Sequence, residues 1–459
     1  MQGRTLILSC NEKIGEEIKI CGWVQTRRDH GKILFLDITD RSGMVQVVIV
    51  PSLVHLTGVA VSPVKTDQSV AAQSDLSSLH PQDVVSITGK VNKRPANLIN
   101  KNIPTGEIEI SAEKIEILSK AKELPFDMGG KDLNLQLPTL LDYRCLTLRH
   151  PRVQAIFKVQ AAILDGFRKA AKDLGCTEIA VPTIVAGATE GGAEVFKIDY
   201  FKHKAYLSQS PQLYKQMLVP VFERVFTIAK AYRAEPSVTT RHLTESTQMD
   251  IEIGFIEFED LLDVLEEVAV KMLKTTEEEC KDVLSEFGAE KIAFGKIPRL
   301  TLREAQELIL KEFGRDSRKE KDLTPQDEAD ICKWSKKTHG SDFVTVTHFP
   351  TKAKPFYTMP DQENPEYSLS YDLLFKGVEI LSGSQRINDY KQLVENIRNR
   401  GMNPDNFKMY LQAFKFGMPT EGGFSFGLER VTMLVLNLAN VREASLFPRD
   451  MERVDVGLK

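Results

Sequence analysis

Residues 247–253 (TQMDIEI) alternate without a break: Met249, Ile251 and Ile253 share one face, and Gln248, Asp250 and Glu252 the other. A strand of this period turns its apolar face to the core. The opposite face then carries two acids within three residues, a costly arrangement unless water, a cation or a ligand meets them. Upstream, residues 225–232 are rich in β-formers, so 224–253 (RVFTIAKAYRAEPSVTTRHLTESTQMDIEI) reads as two strands and a connection. The connection holds Arg233, Glu235, Arg241, His242 and Glu245. Hairpin loops usually take about two to five residues. One this long and this charged is expected to bind something, with a solvated surface hairpin as the plain alternative.

A chain of 459 residues has room for two or three domains, and 42% hydrophobic content is ordinary for a soluble protein. Its apolar runs fall well short of the roughly 18–20 residues that a membrane helix needs, and MQGRTLILSCNEK lacks the apolar core of an export signal. A cytoplasmic protein without a membrane partner is expected. Cys10, Cys21, Cys145, Cys176, Cys280 and Cys332 form no CxxC pair, which points to reduced thiols and no structural zinc. A net charge of −4 argues against gross electrostatic attraction to nucleic acid, so any such contact must be local.

The stretch YRAE…RHLTE…MDIE resembles motif 2 of the class II aminoacyl-tRNA synthetases, in the form found in the aspartate branch of subclass IIb. The resemblance implies an antiparallel active-site sheet flanked by helices. It sets Arg233 on the ATP α-phosphate, Glu235 near the adenine amino group, Arg241 and His242 along the ATP, and Asp250 against the substrate ammonium.

Residues 1–118 are all-β in character. KICGWVQTRRD, GKILFLDITD, GMVQVVIV, DVVSITGKVNKR and GEIEISAEKIEIL are short alternating runs between Gly, Asp and Ser turns, suiting a small barrel or sandwich. Residues 66–82 read as an intervening helix or loop. RRDHGKILFLDITDRSGMVQ is similar to the first strands of the OB-fold anticodon-binding domain of the same synthetases. That likeness implies that Phe35 stacks on an anticodon base, Gln46 reads a base edge, Arg28 holds phosphate or base, and Glu107 reads the first anticodon base. Aromatic stacking with edge hydrogen bonds is how unstacked bases are recognised. Lys90, Lys93, Arg94 and Lys101, with no acid between them, form a cationic patch for phosphates. His30 resembles the loop histidine of relaxed enzymes that charge both tRNA-Asp and tRNA-Asn; a loop histidine without a role is the alternative.

Residues 119–140 mix charges, Pro and paired Gly without a period and read as a linker. Residues 141–459 form the expected catalytic domain. Val153, Ile156, Phe157, Val159, Ile163 and Phe167 fall at helical spacing in 150–173. CTEIAVPTI with Pro182 resembles motif 1, which implies a homodimer; a strand in a monomer is the alternative. GATEGGAEVF (187–196) resembles the loop that closes over the amino acid, carrying Glu190 to the ammonium and excluding water from a hydrolysable adenylate.

In LSQSPQLYKQM (207–217) the resemblance assigns Gln212 to the substrate and Lys215 to its side-chain carboxylate. In GVEILSGSQRI it assigns Arg386 to the same carboxylate. Two cations around one buried anion are electrostatically sound. Neutral asparagine would leave both uncompensated and lysine would be repelled, so charge favours aspartate. Asp372 and Glu379 match carboxylates that bind magnesium and ATP, with Ser382 serving the metal and the aspartate, and hard oxygens suit Mg²⁺. Pro350 and PFYTM (355–359) match pocket residues. GGFSFGLERVTML resembles motif 3, with Arg430 over adenine and towards the γ-phosphate and Gly427 giving the backbone close approach to ATP. SLFPRD (445–450) is an ending of aspartyl type.

Two departures from the family pattern stand out. Ser246 occupies the place of an adenine-stacking phenylalanine, and 257–345 is charged, helical and too short for the large inserted domain of typical bacterial aspartyl enzymes. The expected fold is α+β, an N-terminal OB-fold barrel followed by a class II catalytic domain. The expected activity joins L-aspartate to ATP as aspartyl-adenylate, with Mg²⁺, and transfers it to the 3′ end of tRNA-Asp, with tRNA-Asn as the open second acceptor. Rival readings are an asparaginyl enzyme, an ammonia-dependent asparagine synthetase on the same core, and a non-catalytic RNA-binding paralogue.

Overall fold

Strand pairing in the first part of the chain closes on itself. The computed structural model describes residues 3–31, 33–52, 54–58, 79–187, 195–236, 239–455 and 457–458, in two compact units, Met1–Leu135 and Gln136–Lys459. The first contains β1 (Glu17–His30), β2 (Ile33–Thr39), β3 (Met44–Ile49), β4 (His55–Gly58), β5 (Val84–Lys93) and β6 (Ile108–Ser119). Antiparallel pairing joins β3 to β2, β2 to β1, β1 to β5 and β5 to β6, and a parallel pairing of β3 with β6 completes the ring. These are the five expected strands, closed as a barrel. The sixth, β4, adds itself outside the ring, parallel to β6. Of the helix or loop expected at 66–82, residues 66–78 lie outside the described residues.

Leu34, Leu36 and Ile38 of β2 point into the barrel core with Val45, Val47 and Ile49 of β3. The period of two therefore turns Phe35 and Asp37 outwards. Phe35 is not a core aromatic.

The second unit is built on an eight-stranded sheet. Its strands are β7 (Thr177–Glu178), β11 (Arg224–Tyr232), β12 (Glu245–Gly254), β13 (Arg299–Thr301), β14 (Phe343–Thr347), β15 (Ser370–Phe375), β16 (Val378–Gln385) and β17 (Glu421–Gly427). The order is β13-β14-β15-β16-β17-β12-β11-β7. The six central strands are antiparallel as expected, while the short edge strands β13 and β7 join in parallel, so the sheet is mixed. A small separate sheet holds β8 (Ile184–Val185), β9 (Lys197–Tyr200) and β10 (His203–Leu207).

The expected helix at 150–173 runs Pro151–Asp173, opened by a proline in its first turn and by the His150 side chain accepting from the Arg152 N–H. It forms one apolar cluster with the helix Phe258–Glu279 and with Met249, Ile251, Ile253, Phe424 and Phe426 of the sheet. The two helices approach at Gly166, where a Cβ would stand 2.7 Å from the Met272 carbonyl oxygen. Burying each apolar residue of β12 contributes about 2 kcal/mol, less than the several kcal/mol that an unpaired buried carboxylate costs. The acid face of β12 must therefore be paired.

Segment 257–345 is mainly helical as expected: Phe258–Glu279, Lys281–Phe287, Leu302–Phe313 and Pro325–His339, the last two opened by capping boxes at Thr301 and Thr324. All six cysteines are free thiols. Among the described residues no helix is long and apolar enough to cross a membrane.

Candidate active site

Gln248 and Asp250 of β12 line a cleft of about 370 Å³, with Glu252 buried behind it, within the size range of small-molecule sites. One end is closed by the helix Gln212–Phe222, which follows β10 and buries Lys215 to 1% exposure. Lys215 Nζ lies 2.8 Å from Asp250 Oδ1 and 3.1 Å from Glu252 Oε2. Arg386, immediately after β16, donates from Nε to Glu252 Oε1 at 2.8 Å and from Nη2 to the Gly423 carbonyl at 2.9 Å. Its Nη1 donates to Ser384 Oγ at 2.6 Å. Lys215 and Arg386 thus converge on one carboxylate. Ser425 Oγ donates to the other oxygen of Asp250 at 3.0 Å.

This arrangement corrects the argument from charge. Lys215 and Arg386 are not an uncompensated pair waiting for an anion: Asp250 and Glu252, each at most 1% exposed, balance them within the protein. An entering carboxylate would have to share or displace these partners, and counting cations alone does not separate aspartate from asparagine. Burial would raise Glu252, but Arg386 and Lys215 hold it below its ordinary range. For Asp250 burial wins over Lys215 and its pKa is raised. The Nε2 of Gln212 is buried in this corner with no hydrogen-bond partner among the described residues, while its Oε1 accepts from Arg386 Nη2 at 3.3 Å. A buried donor of this kind is suited to a ligand acceptor.

At the other end of the cleft stand Arg233, Glu235, Arg241, His242 and Ser246. Ser246 lies in β12, and the loop that carries the other four is pinched shut where the Arg233 N–H donates to the Thr244 carbonyl at 2.9 Å. Arg241 pairs with Glu328 at 3.1 Å. Burial, then Arg430 with Arg233 and Arg241, holds His242 below the usual histidine range, against Glu235.

Asp372 on β15 and Ser382 on β16 are register partners, and both line the cleft with Glu379. Lys354 Nζ contacts both Asp372 oxygens at 3.1 Å. Burial, and then Asp372, raises the pKa of Glu379. Arg430, from the helix Leu428–Val435 that follows β17, donates Nη1 to the Glu379 carbonyl at 2.8 Å and lies 3.5 Å from its carboxylate. A Cβ on Gly427 would meet only Arg430 Cβ, at an ordinary 3.7 Å, so the protein's own packing does not demand glycine there.

Among the described residues no three His, Cys, Asp or Glu side chains enclose a metal position. Two carboxylates and a hydroxyl, open on one side, instead suit an ion such as Mg²⁺ that keeps water and shares substrate phosphates. Lys354 already sits on both Asp372 oxygens, so an entering ion would share or displace it.

On the barrel, Arg28 pairs with Asp37 at 2.9 Å and contacts Gln46 Oε1 at 3.5 Å. The rings of His30 and Phe35 meet edge to face at 5.8 Å. Gln46 Nε2 donates to Glu109 at 3.3 Å. It is Glu109, inside β6, that joins this cluster; Glu107 is exposed and precedes the strand. Arg94 leaves the expected phosphate patch: it is 6% exposed, donating to the Ile108 carbonyl at 2.9 Å and facing Glu109. Lys90, Lys93 and Lys101 remain exposed.

Residues 136–451 match the family of tRNA synthetases class II (D, K and N), and 18–118 the OB-fold nucleic acid binding domain. The chain belongs to the class II tRNA synthetases. Within that family it is 38% identical to the aspartate–tRNA(Asp/Asn) ligase of Thermus thermophilus, over 98% of this chain and 99% of that one. It is also 38% identical to the aspartate–tRNA(Asp) ligase of Pyrococcus abyssi, over 96% of each. Among solved structures it resembles asparaginyl-tRNA synthetase from Pyrococcus horikoshii complexed with asparaginyl-adenylate, with a TM-score of 0.87, 30% identity and coverage of 99% and 100%. Aspartyl-tRNA synthetase from Entamoeba histolytica follows at 0.81, 28% identity and coverage of 96% and 90%.

The synthetase cleft thus brings together Arg233, Glu235, Arg241, His242, Gln212, Lys215, Asp250, Asp372, Glu379, Ser382, Arg386, Gly427 and Arg430. Glu190 lies outside the described residues. Sequence reasoning left four side chains unassigned: Glu252, Asp322, Glu328 and Lys354. Glu252 had a signal in the alternation with Asp250. The other three had none, because they sit in ordinary charged helix and loop composition.

Proposed function

We propose that this synthetase is an aspartate–tRNA ligase, activating L-aspartate with ATP and transferring it to the 3′ end of tRNA-Asp. The observation that carries the reading is the convergence of Lys215, Arg386 and Gln212, whose Nε2 has no partner among the described residues, at one end of a cleft whose other end gathers Arg233 and Arg430. The names of the 38%-identical relatives support aspartate over asparagine.

In the first step the aspartate α-carboxylate attacks the ATP α-phosphorus, and the bond to the pyrophosphate oxygen breaks. In the second the terminal ribose hydroxyl of the tRNA attacks the acyl carbon and AMP leaves. No side chain serves as a nucleophile. Lys215, Arg386 and Gln212 hold the amino acid's side chain, and Asp250, with Glu190 on its loop, meets its ammonium. Arg233 and Arg430 position the triphosphate and neutralise the charge that develops on it. Glu235, Arg241, His242 and Gly427 line the nucleotide's path. Asp372, Glu379 and Ser382 would hold Mg²⁺, which supplies charge neutralisation to the phosphates.

Arg28, His30, Phe35, Gln46 and Glu107 of the barrel are proposed to read the anticodon, with Glu109 holding the Gln46 amide. A homodimer through the motif 1 stretch, which lies at the β7 edge of the sheet with Ile184 46% exposed, and a cytoplasmic location complete the reading. Aspartate-dependent ATP–pyrophosphate exchange tests it, followed by charging of purified tRNA-Asp and tRNA-Asn side by side. The second reading, an asparaginyl enzyme, is favoured by the internal charge balance of the pocket and by the asparaginyl neighbour. Exchange driven by asparagine alone would select it.

A further inference from the structure

Behind Lys215 and Arg386, on the side away from the cleft, runs a buried chain of polar side chains: Tyr410, Gln216, Glu421 and Glu252. Gln216, Glu421 and Glu252 are 0% exposed and Tyr410 2%. Tyr410 Oη donates to Gln216 Oε1 at 3.1 Å, which turns the Gln216 amide nitrogen to Glu421, where it donates to Oε1 at 2.6 Å. The second oxygen of Glu421 is buried and, among the described residues, receives no donor, while the β12–β17 register, with Glu252 opposite Gly423 and Gly254 opposite Glu421, sets the two carboxylates diagonally on one face. Glu252 already accepts from Lys215 and Arg386. Two carboxylates can share a hydrogen bond only if one of them carries the proton.

Glu252 is the one held by cations, so the proton belongs on Glu421. We infer that Glu421 is a neutral carboxylic acid that donates to Glu252 and acts as a positioning residue, fixing the carboxylate on which Lys215 and Arg386 both rest. This rests on the reading of those two cations as the aspartate grip. Burial, and then Glu252, pushes Glu421 well above the ordinary glutamate range, against Arg386. The charged and titratable groups facing this pair are Lys215, Asp250, Arg386, Tyr357, Tyr371 and Tyr410.

The arrangement leaves Glu252 no freedom. On its far side a Cβ at position 423 would lie 2.4 Å from Glu252 Oε2, so the carboxylate seats directly on the glycine backbone of β17. The proton on Glu421 also keeps the cluster at two cations and two anions. A second anion beside Glu252 would draw both cations away from an entering carboxylate, so the neutral acid helps set which substrate charge the pocket accepts.

The test is aspartate-dependent ATP–pyrophosphate exchange in wild type, E421A and E421Q across the neutral pH range. E421A is expected to raise KM for aspartate by about tenfold or more with KM for ATP unchanged. E421Q, whose amide donates where the acid does, should bring KM for aspartate back to within about twofold of wild type, with the same pH profile. E421Q as impaired as E421A, or a wild-type pH dependence that E421Q abolishes, overturns the inference. Difference infrared spectra of wild type against E421Q give a readout independent of how E421A folds. A protonated-carboxyl C=O band is expected, and a carboxylate band in its place refutes the neutral acid. Absence of aspartate-dependent exchange in wild type would instead remove the functional reading, while the infrared band still decides the state of Glu421.

Discussion

Arg386 and Glu252 form a buried two-point ion pair, Nε to Oε1 at 2.8 Å and Nη2 to Oε2 at 3.3 Å. Lys215 rests on the same carboxylate, so the two cations form one unit whose geometry Glu252 sets. Arginine suits this place because its planar fork meets Glu252, Gly423 and Ser384 at once, which lysine cannot do. R386K is therefore expected to lower kcat/KM for aspartate by about 10²-fold, roughly 2.7 kcal/mol, with KM for ATP unchanged. Exchange kinetics with each substrate varied in turn check this. Equal effects on both substrates would place Arg386 outside the amino-acid end.

E252Q removes the anion that Arg386 rests on and leaves Lys215 with Asp250. Breaking a buried ion cluster in this way costs about 3–5 kcal/mol. Urea unfolding should show a correspondingly lower midpoint with an unchanged m value. A midpoint equal to wild type would mean that the cluster does not hold the core of the sheet.

Glu328 gives a pH signature. Burial, and then Glu379, raises its pKa from an ordinary 4.5 to about 7, against Arg241. A raised acid binds its proton more tightly in the folded state, so its contribution to stability is complete below about pH 4.5 and is lost as pH rises through about 7. At 1.36 kcal/mol per unit the loss is at most about 3 kcal/mol. Unfolding free energies measured on both sides of this window should differ less in E328Q than in wild type, and an identical pH dependence would contradict the assignment.

Much of this was legible in the sequence, and the failures have physical causes. The alternation of Gln248, Asp250 and Glu252 announced a polar face that had to be paired, and the pairing is Lys215 and Arg386. The five barrel strands could be read because each alternates over six residues or more. HLTG in β4 has no such pattern and gains its strand state only from pairing with β6. Arg94 read as a surface cation until the carbonyls of Ile108 and Leu98 took it into the barrel wall. Glu107 and Glu109 have the same parity, so a period of two does not show that Glu109, inside β6, is the one that accepts from Gln46. Lys354 and Asp322 reach the cleft through tertiary folding that no local period encodes.

On the barrel, Phe35 lies on the outer face with His30 against its edge. Stacking on one base is worth about 1–3 kcal/mol, so F35A should raise KM for tRNA by about 5–150-fold. ATP–pyrophosphate exchange should be unaffected, because no tRNA takes part in it. Aminoacylation and exchange assayed together separate this outcome from misfolding, which would lower both. Substitution of His30 should alter only the ratio of tRNA-Asn to tRNA-Asp charging.

The most direct measurement is ATP–pyrophosphate exchange with purified protein and each of L-aspartate, L-asparagine and L-lysine in turn. Exchange is expected with aspartate, none with lysine, and a kcat/KM for asparagine lower by orders of magnitude. Exchange with asparagine in preference to aspartate, or no exchange with any of the three, would contradict the aspartate reading.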